Sequence, residues 1–478
     1  MSAALEVRNP RTGTLDDAIV PPTPAALAQA CADLRAAQAD WLALGLEGRI
    51  AAFQALKAAL AEHRGHLIEA LAQDTGRAML SALEYDGLAP AIDRLMATAR
   101  AHAQAGEHRA QALPHVRFKT QCVPYNLVGV ISPWNFPLTL SLIDALPALL
   151  AGAAVAIKPS EVTPRFARPL RTVFAAVPAM APVVHIFDGD GATGAALIDH
   201  VDAICFTGSV ATGAKVAQAA ARAFIPAFLE LGGKDPAIVL DDADVARAAT
   251  ALLRGSVLNT GQACQSIERI YVARPIYDHF VALLVAGAKA VTLNAQDVHH
   301  GQLGPIIHAP QADIIRAHLD DARAKGARIL TGGEIEVHNG GGLWCRPTVL
   351  VDVTPDMAIM REESFGPLLP VAAFDSEDEA VAAANDSDYG LSAAVFSRDL
   401  ARAQRVAERL DVGAVSINDA ALTGLMHEAE KHAFKRSGMG ASRMGASGYL
   451  RFLRKKALIF NDGQPFDIAW FDEAKAVP

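Results

Sequence analysis

At 478 residues the chain exceeds one ordinary core and should divide into two or three packed regions. Hydrophobic residues make up 51% and charged ones 20%, a globular composition that excludes a disordered chain. The net charge of −9 is modest, and dispersed Lys and Arg exclude a nucleic-acid-binding stripe; the basic run at 451–456 reads as a solvated face or a subunit contact.

Five cysteines (Cys31, Cys122, Cys205, Cys264 and Cys345) are scattered, with no CxxC pair or metal-ligand spacing. Neither a disulfide framework nor a zinc site is indicated, and a reducing cytoplasm fits best. The first residues lack a basic segment followed by an apolar one, so no signal peptide is expected. The most apolar span, 127–157, carries Asn135, Asp144 and three prolines, so it reads as buried core and no membrane partner is expected.

In chain order, residues 7–13 suggest a short strand and a turn. From Pro24 to about Gln104 the apolar spacing is helical, as expected for helices layered on a sheet. Residues 117–123 alternate as a strand that could project to pair with a partner. From Leu127 the rhythm becomes strand, helix, strand. Strands are expected at 127–132, 153–157, 183–187, 203–206 and 227–231. Helices are expected at 138–150 and 165–177, and others from Ala192 and Ala211. Such alternation means a parallel sheet with helices on both faces, and ligands on such sheets sit at the carboxyl ends of the strands.

A second α/β block begins near Ala237. Asp244 can cap a helix that runs into Asn259-Thr260-Gly261-Gln262-Ala263-Cys264-Gln265, and a strand at 270–272 leaves this loop. Helices are expected at 276–291 and 314–325, glycine-rich loops at 332–333 and 340–342, and a polar turn at 361–367.

The polar exceptions cluster at strand ends. Asn135, within Pro133-Trp134-Asn135-Phe136-Pro137, can be a satisfied structural amide or a donor to an oxyanion. Lys158 and Glu161 can hold a ribose or form a surface salt bridge. Gly189-Asp190-Gly191-Ala192-Thr193-Gly194 is a formal GxGxxG, but no acid follows at the distance the dinucleotide fingerprint requires. It reads as a tight turn with some cofactor contact. Phe206-Thr207-Gly208-Ser209 opens a helix and suits a phosphate. Glu230 ends an apolar strand, as a general base or a buried, paired carboxylate. Cys264 alone is weak evidence, since free cysteine is usually a small buried apolar residue.

Six segments in order (PWNFP, KPSE, FTGSxxxG, ELGGKDP, GQxC and the EESFGP of residues 362–367) closely resemble the NAD(P)-dependent aldehyde dehydrogenase superfamily. The resemblance runs from Asn9 to Lys456. It implies a Rossmann-type parallel-sheet NAD-binding domain (residues 1–105 and 125–235), an α/β catalytic domain (236–436), and a small β oligomerisation element from 106–124 and 437–478. In that family pattern Cys264 is the nucleophile, Asn135 the oxyanion donor and Glu230 the base. Ser132, Trp134, Lys158, Glu161, Gly191, Gly208, Ser209, Leu231, Glu363 and Phe365 fall at cofactor positions. Phe136, Leu140, Ile143, Ala263 and Gln265 fall at substrate positions, joined by 421–426.

The implied reaction is oxidation of an aldehyde to the acid through a Cys264 thioester. The cofactor expected is NAD, with NADP possible, because Glu161 would repel a 2′-phosphate. The lining shows no obvious Arg or Lys, which points to a hydrophobic or aromatic aldehyde. A CoA-acylating enzyme and a non-catalytic binding protein are the alternatives; Glu230 argues against the first and the full Cys/Asn/Glu set against the second. A homodimer or homotetramer is expected, through strands at 117–123 and 456–461. The chain departs from the pattern after His432: the turn at 440–445 is one residue longer, and Ser442 or Arg443 stands where many relatives carry a second glutamate. His427 and His432 are five apart, which does not suit the i, i+4 metal motif, so no metal is expected.

Overall fold

The computed structural model describes residues 3–102 and 106–475. The ends of the first helical segment at Gln104 and of the first domain at 105 lie outside the described residues. Five helices fill the N-terminal segment: Pro24–Ala43, Gly45–Glu62, Arg64–Thr75, Ala78–Asp86 and Leu88–Ala101. Among the described residues no helix is long and apolar enough to cross a membrane.

The strands Leu127–Ile131, Ala154–Lys158 and Ala203–Thr207 are buried along their whole length and apolar up to the terminal Lys158 and Thr207, because helices cover both faces of their sheet. This six-stranded sheet runs in the order Gly438–Met439, Ala227–Glu230, Ala203–Thr207, Leu127–Ile131, Ala154–Lys158, Val184–Ile186. All pairs are parallel except the one made by Gly438–Met439. The order reverses between Leu127–Ile131 and Ala203–Thr207, which opens a crevice at their carboxyl ends. The helix Pro137–Ala151 leaves one side of that crevice and Val210–Ala223 the other.

A seven-stranded sheet follows, ordered Arg328–Thr331, Thr348–Val351, Leu368–Phe374, Ile267–Ala273, Asp235–Val239, Ser392–Phe396, Ala414–Ile417. Only its first pair is antiparallel. Buried side chains from Leu27 to Leu231 pack in one core and those from Ala237 to Ala420 in two others, so the core boundary falls between Leu231 and Ala237.

Several elements differ from the sequence expectation. The strand at the N-terminus, Leu5–Arg8, has a partner in Leu15–Ile19. The glycines at 340–342 belong to a hairpin between Ile335–His338 and Gly342–Cys345, turned by left-handed Asn339 and Gly340. The helix expected from 314 starts at Pro310, where proline suits the first turn.

The oligomerisation strands need a larger correction. Val116–Pro124 is not an edge: it pairs within the chain with Leu453–Asn461 on one side and Glu107–Arg109 on the other. Glu107–Arg109 reads Glu-His-Arg and is fully exposed, so no apolar alternation announced it. The free long edge belongs to Leu453–Asn461.

Candidate active site

The helix Val245–Val257, capped by the Asp244 carboxylate on the Arg247 amide, delivers the chain to the cysteine loop. Three consecutive residues then take left-handed backbone: Asn259 at φ 56°, Thr260 at 59° and Gly261 at 72°. For a β-branched threonine this conformation is strained and needs support from its surroundings. The support is a set of buried amide bonds. Asn259 Nδ2 donates to the carbonyls of Asn135 (3.0 Å) and Gln262 (2.9 Å), and Thr260 Oγ1 donates to Gly304 (2.9 Å). Gln262 Nε2 donates to Asn259 O (2.9 Å) and Pro305 O (3.2 Å), while its Oε1 accepts the Ile307 amide (2.8 Å). At Gly261 a Cβ would stand 2.2 Å from the backbone of Gly366, so only glycine fits.

Asn135 is buried, and its Nδ2 donates to Gln262 O at 3.0 Å. One of its two N–H groups is therefore engaged in fixing the cysteine loop. Its own carbonyl accepts from Arg77 Nη2 at 3.0 Å as well as from Asn259. Arg77 is a buried cation that sequence reasoning missed; it pairs with Glu84 at 3.3 Å and lies over the Phe136 ring. Nothing in the bare sequence distinguishes it from a surface arginine.

Cys264 is half-buried at the meeting point of the two sheets. Burial pushes its thiol up to about 11, with Lys431 opposing and Glu230, Glu363 and Asp235 adding to the rise. Glu230 ends its strand with its carboxylate between two cations: Lys431 Nζ at 3.8 Å from Oε2 and Arg443 Nε at 3.9 Å from Oε1. Arg443 also donates to Thr207 Oγ1 (2.6 Å) and to buried Asp144 (3.2 Å), whose other oxygen binds Arg451. Burial works against the Arg443 charge, yet Asp144 and Glu230 outweigh it and hold that charge more firmly than usual. The sequence reading placed Ser442 or Arg443 here; it did not place Lys431. Both residues come from an irregular segment whose polar composition reads as exposed loop.

Glu363 is held by the backbone that follows Glu230. Its Oε1 accepts the Gly233 amide at 3.1 Å, and a Cβ on Gly232 would meet its carboxylate at 2.3 Å. Burial, then the neighbouring Glu268, pushes it up to about 8. Glu268 forms a buried 2.5 Å pair with Lys234 and accepts the amides of Ser364 (2.7 Å) and Phe365 (2.9 Å), which fixes the turn carrying Glu363 and Phe365. The Phe365 ring meets Trp134 edge-on at 5.4 Å.

The remaining residues expected to hold cofactor line the crevice rim. Lys158 Nζ donates to Glu161 (3.2 Å) and Gly189 O (3.1 Å); the lysine is buried and Glu161 half-exposed. Ser209 caps the helix Val210–Ala223, accepting the Thr212 amide at 3.3 Å, and Gly208 lies beside it, packed against the Phe206 ring. Leu231 packs on Gly213 of that helix. Gly191 opens the helix Gly191–Ile198, capped by Asp190. Ser132 is buried, and its hydroxyl is taken by Ser141 at 2.6 Å. This combination of a helix N-terminus, a close backbone turn and a strand-end Lys–Glu pair suits a dinucleotide's phosphates and ribose.

Phe136, Leu140 and Ile143 occupy one face of the helix that follows Asn135, each half-buried, as are Ala263 and Gln265. Thr423 of the late loop donates its hydroxyl to Gln265 Oε1, which ties that loop to the nucleophile's neighbour. His432 Nδ1 lies 3.2 Å from Gly440 O, and the described residues contain no group of three metal-ligating side chains.

The model of the Aldehyde dehydrogenase family matches residues 1–458. The chain belongs to the aldehyde dehydrogenase family. Its relatives include 4,4′-diapolycopene aldehyde oxidase of Methylomonas sp., 38% identical over 94% of this chain and 84% of that protein. Among solved structures, the Putative Aldehyde Dehydrogenase PutA from Anabaena variabilis is 52% identical with a TM-score of 0.96, covering 98% of this chain and 100% of that one. Betaine aldehyde dehydrogenase of Staphylococcus aureus, solved with NAD+, is 30% identical with a TM-score of 0.90, over 98% of this chain and 93% of that one. This aldehyde dehydrogenase is thus an enzyme of aldehyde-to-acid oxidation, and its two-sheet architecture is the family's.

Proposed function

We propose that this aldehyde dehydrogenase oxidises an uncharged, hydrophobic or aromatic aldehyde to its acid with NAD, through a thioester on Cys264. The observation that carries the reading is the convergence of Cys264, Asn135 and Glu230. One loop, latched to Asn135, presents the thiol, while the strand end of the other wall brings the carboxylate into its field.

In this mechanism Glu230 takes the Cys264 thiol proton and passes it to solvent, Sγ attacks the carbonyl carbon, and the Cys264 amide and the Asn135 side chain hold the oxyanion. NAD, held by the residues named below, would supply the acceptor for the hydride that the substrate carbon must lose. Glu230 takes a proton from water, which attacks the thioester and releases the acid and the free thiol. Lys158 and Glu161 would hold the adenosine ribose, Gly208 and Ser209 the pyrophosphate, and Glu363 and Phe365 the nicotinamide ribose and ring. Trp134, Leu231, Gly191 and Ser132 complete the cleft.

The apolar face of Phe136, Leu140 and Ile143 supports a hydrophobic substrate. The cations behind it are answered by Glu230 and Asp144. NADH formation across aromatic, aliphatic and charged aldehydes, with Cys264→Ala as the blank, tests the reading. The expected result is activity that is lost in the blank, unchanged by CoA, and highest with apolar aldehydes. Best kcat/KM for succinic semialdehyde would overturn the substrate class. We further expect a cytoplasmic homodimer or homotetramer joined through the free edge of Leu453–Asn461, with sedimentation equilibrium as the check.

A further inference from the structure

The rear wall holds a charge arrangement that the mechanism above does not use. Lys431 is 6% exposed, and its ion-pair partner among the described residues is Glu230, at 3.8 Å. That distance is beyond hydrogen-bond range, so the contact is electrostatic and leaves the carboxylate free to turn. Arg443 approaches the other oxygen at 3.9 Å but is itself tied to Thr207 and Asp144. Of the two cations one is anchored by side-chain hydrogen bonds and the other faces Glu230, which stands between them.

We propose that Lys431 is a positioning residue for this reaction: with Arg443 it clamps the Glu230 carboxylate in the rear of the site, and it supplies the positive charge that the Cys264 thiolate faces. The inference rests on the Cys264–Glu230 reading given above. The other groups that face the thiol besides Arg443 include three carboxyls. Glu230 comes from the strand Ala227–Glu230, Glu363 from the turn before Leu368–Phe374, and Asp235 from the start of Asp235–Val239. All three oppose thiolate formation, and Lys431 opposes them. Arg443 also faces the thiol but is largely committed to Asp144. Removing Lys431 thus leaves Arg443 alone to oppose three carboxyl groups around a nucleophile that must become an anion.

The test is the pH dependence of Cys264 alkylation by iodoacetamide in the full-length enzyme without cofactor, read on the Cys264 peptide by mass spectrometry. That readout separates it from exposed Cys122. In Lys431→Met the alkylation profile should move up by about one pH unit, so that the rate at pH 8 falls about tenfold, because an opposite charge a few ångströms away shifts a titration by that order. Lys431→Arg should restore the wild-type profile, and kcat for aldehyde oxidation should follow the same order with KM little changed. A Lys431→Met enzyme with the wild-type alkylation profile overturns the proposal. So does one whose defect is confined to a raised KM for carboxylate-bearing aldehydes, which would assign Lys431 to substrate binding. Should Lys431→Met fail to fold, Lys431→Gln and Lys431→Arg give the same comparison, and a wild-type profile in Lys431→Gln overturns the clamp. Failure of the underlying reading looks different: wild-type enzyme would form no NADH with any aldehyde, whatever the alkylation profiles.

Discussion

The two walls of the site are built by opposite means. The wall that carries Cys264 and Asn135 is held by neutral amides donating to backbone carbonyls at 2.9 to 3.0 Å. The wall behind Glu230 is held by charges: Asp144 between Arg443 and Arg451, and Glu230 near Lys431 and Arg443. Amide bonds fix direction as well as distance, which suits a nucleophile and an oxyanion donor that must not move. Ion pairs at nearly 4 Å fix position only loosely, which would suit the base proposed for Glu230. Loss of the Asn135 amide should therefore show first in catalysis, and loss of the Asp144 carboxylate first in stability.

The largest effect on folding should come from Asp144→Ala. The carboxylate is 1% exposed and answers Arg443 and Arg451, whose side chains are 6% and 1% exposed. Stranding two buried guanidinium groups should cost at least the roughly 3–5 kcal/mol typical of one broken buried pair. Urea unfolding is the measurement, and a loss under 1 kcal/mol would show that the charged wall is not structural. Asn135→Ala should do the reverse, lowering kcat about 10² to 10³-fold while the folded state survives, since Asn259 still donates to Gln262 O. Equal loss of stability in both variants would erase the distinction between the walls.

Gly261→Ala sharpens the first wall. The residue is left-handed, and a Cβ would strike the backbone of Gly366, which carries the chain into Leu368–Phe374. We expect a destabilisation of about 1–3 kcal/mol from strain and overpacking, with the thiol displaced and kcat reduced. Unchanged melting and activity would mean that the loop tolerates movement and the amide latch is not what sets its geometry.

The same division explains what could be read from the sequence. The Leu127–Ile131, Ala154–Lys158 and Ala203–Thr207 strands were legible because a strand buried on both faces must be apolar up to its ends. Cys264, Asn135 and Glu230 were legible because they sit in short motifs next to such strands. Lys431 was not, because its meaning depends on Glu230, two hundred positions earlier and joined to it only by folding. Arg77 was hidden for the same reason: its partners are the Asn135 carbonyl and Glu84. The misplaced sheet edge has another cause. Glu107–Arg109 is polar and exposed, and its cross-strand contacts, Glu107 with Arg117 and the His108 ring with Phe118, exist only once the chain has folded, so nothing in its pattern marks it as a strand.

The smallest expected effect lies at the crevice rim, away from both walls. Glu161 is half-exposed and paired with buried Lys158 at 3.2 Å, so its carboxylate lies at the surface while the ammonium lies beneath it. An exposed partner contributes little stability, and Glu161→Ser should change unfolding by less than about 1 kcal/mol. Its influence should instead fall on the cofactor, because a carboxylate that accepts ribose hydroxyls repels a 2′-phosphate. Removing it also frees the Lys158 ammonium to meet that phosphate. Together these changes should raise kcat/KM with NADP about tenfold and lower it with NAD by a similar factor, the order expected for one charge–hydroxyl contact. Steady-state kinetics with both cofactors read the ratio directly. A ratio that stays at the wild-type value would mean that Glu161 only neutralises Lys158, and that the choice of cofactor is made elsewhere on the rim.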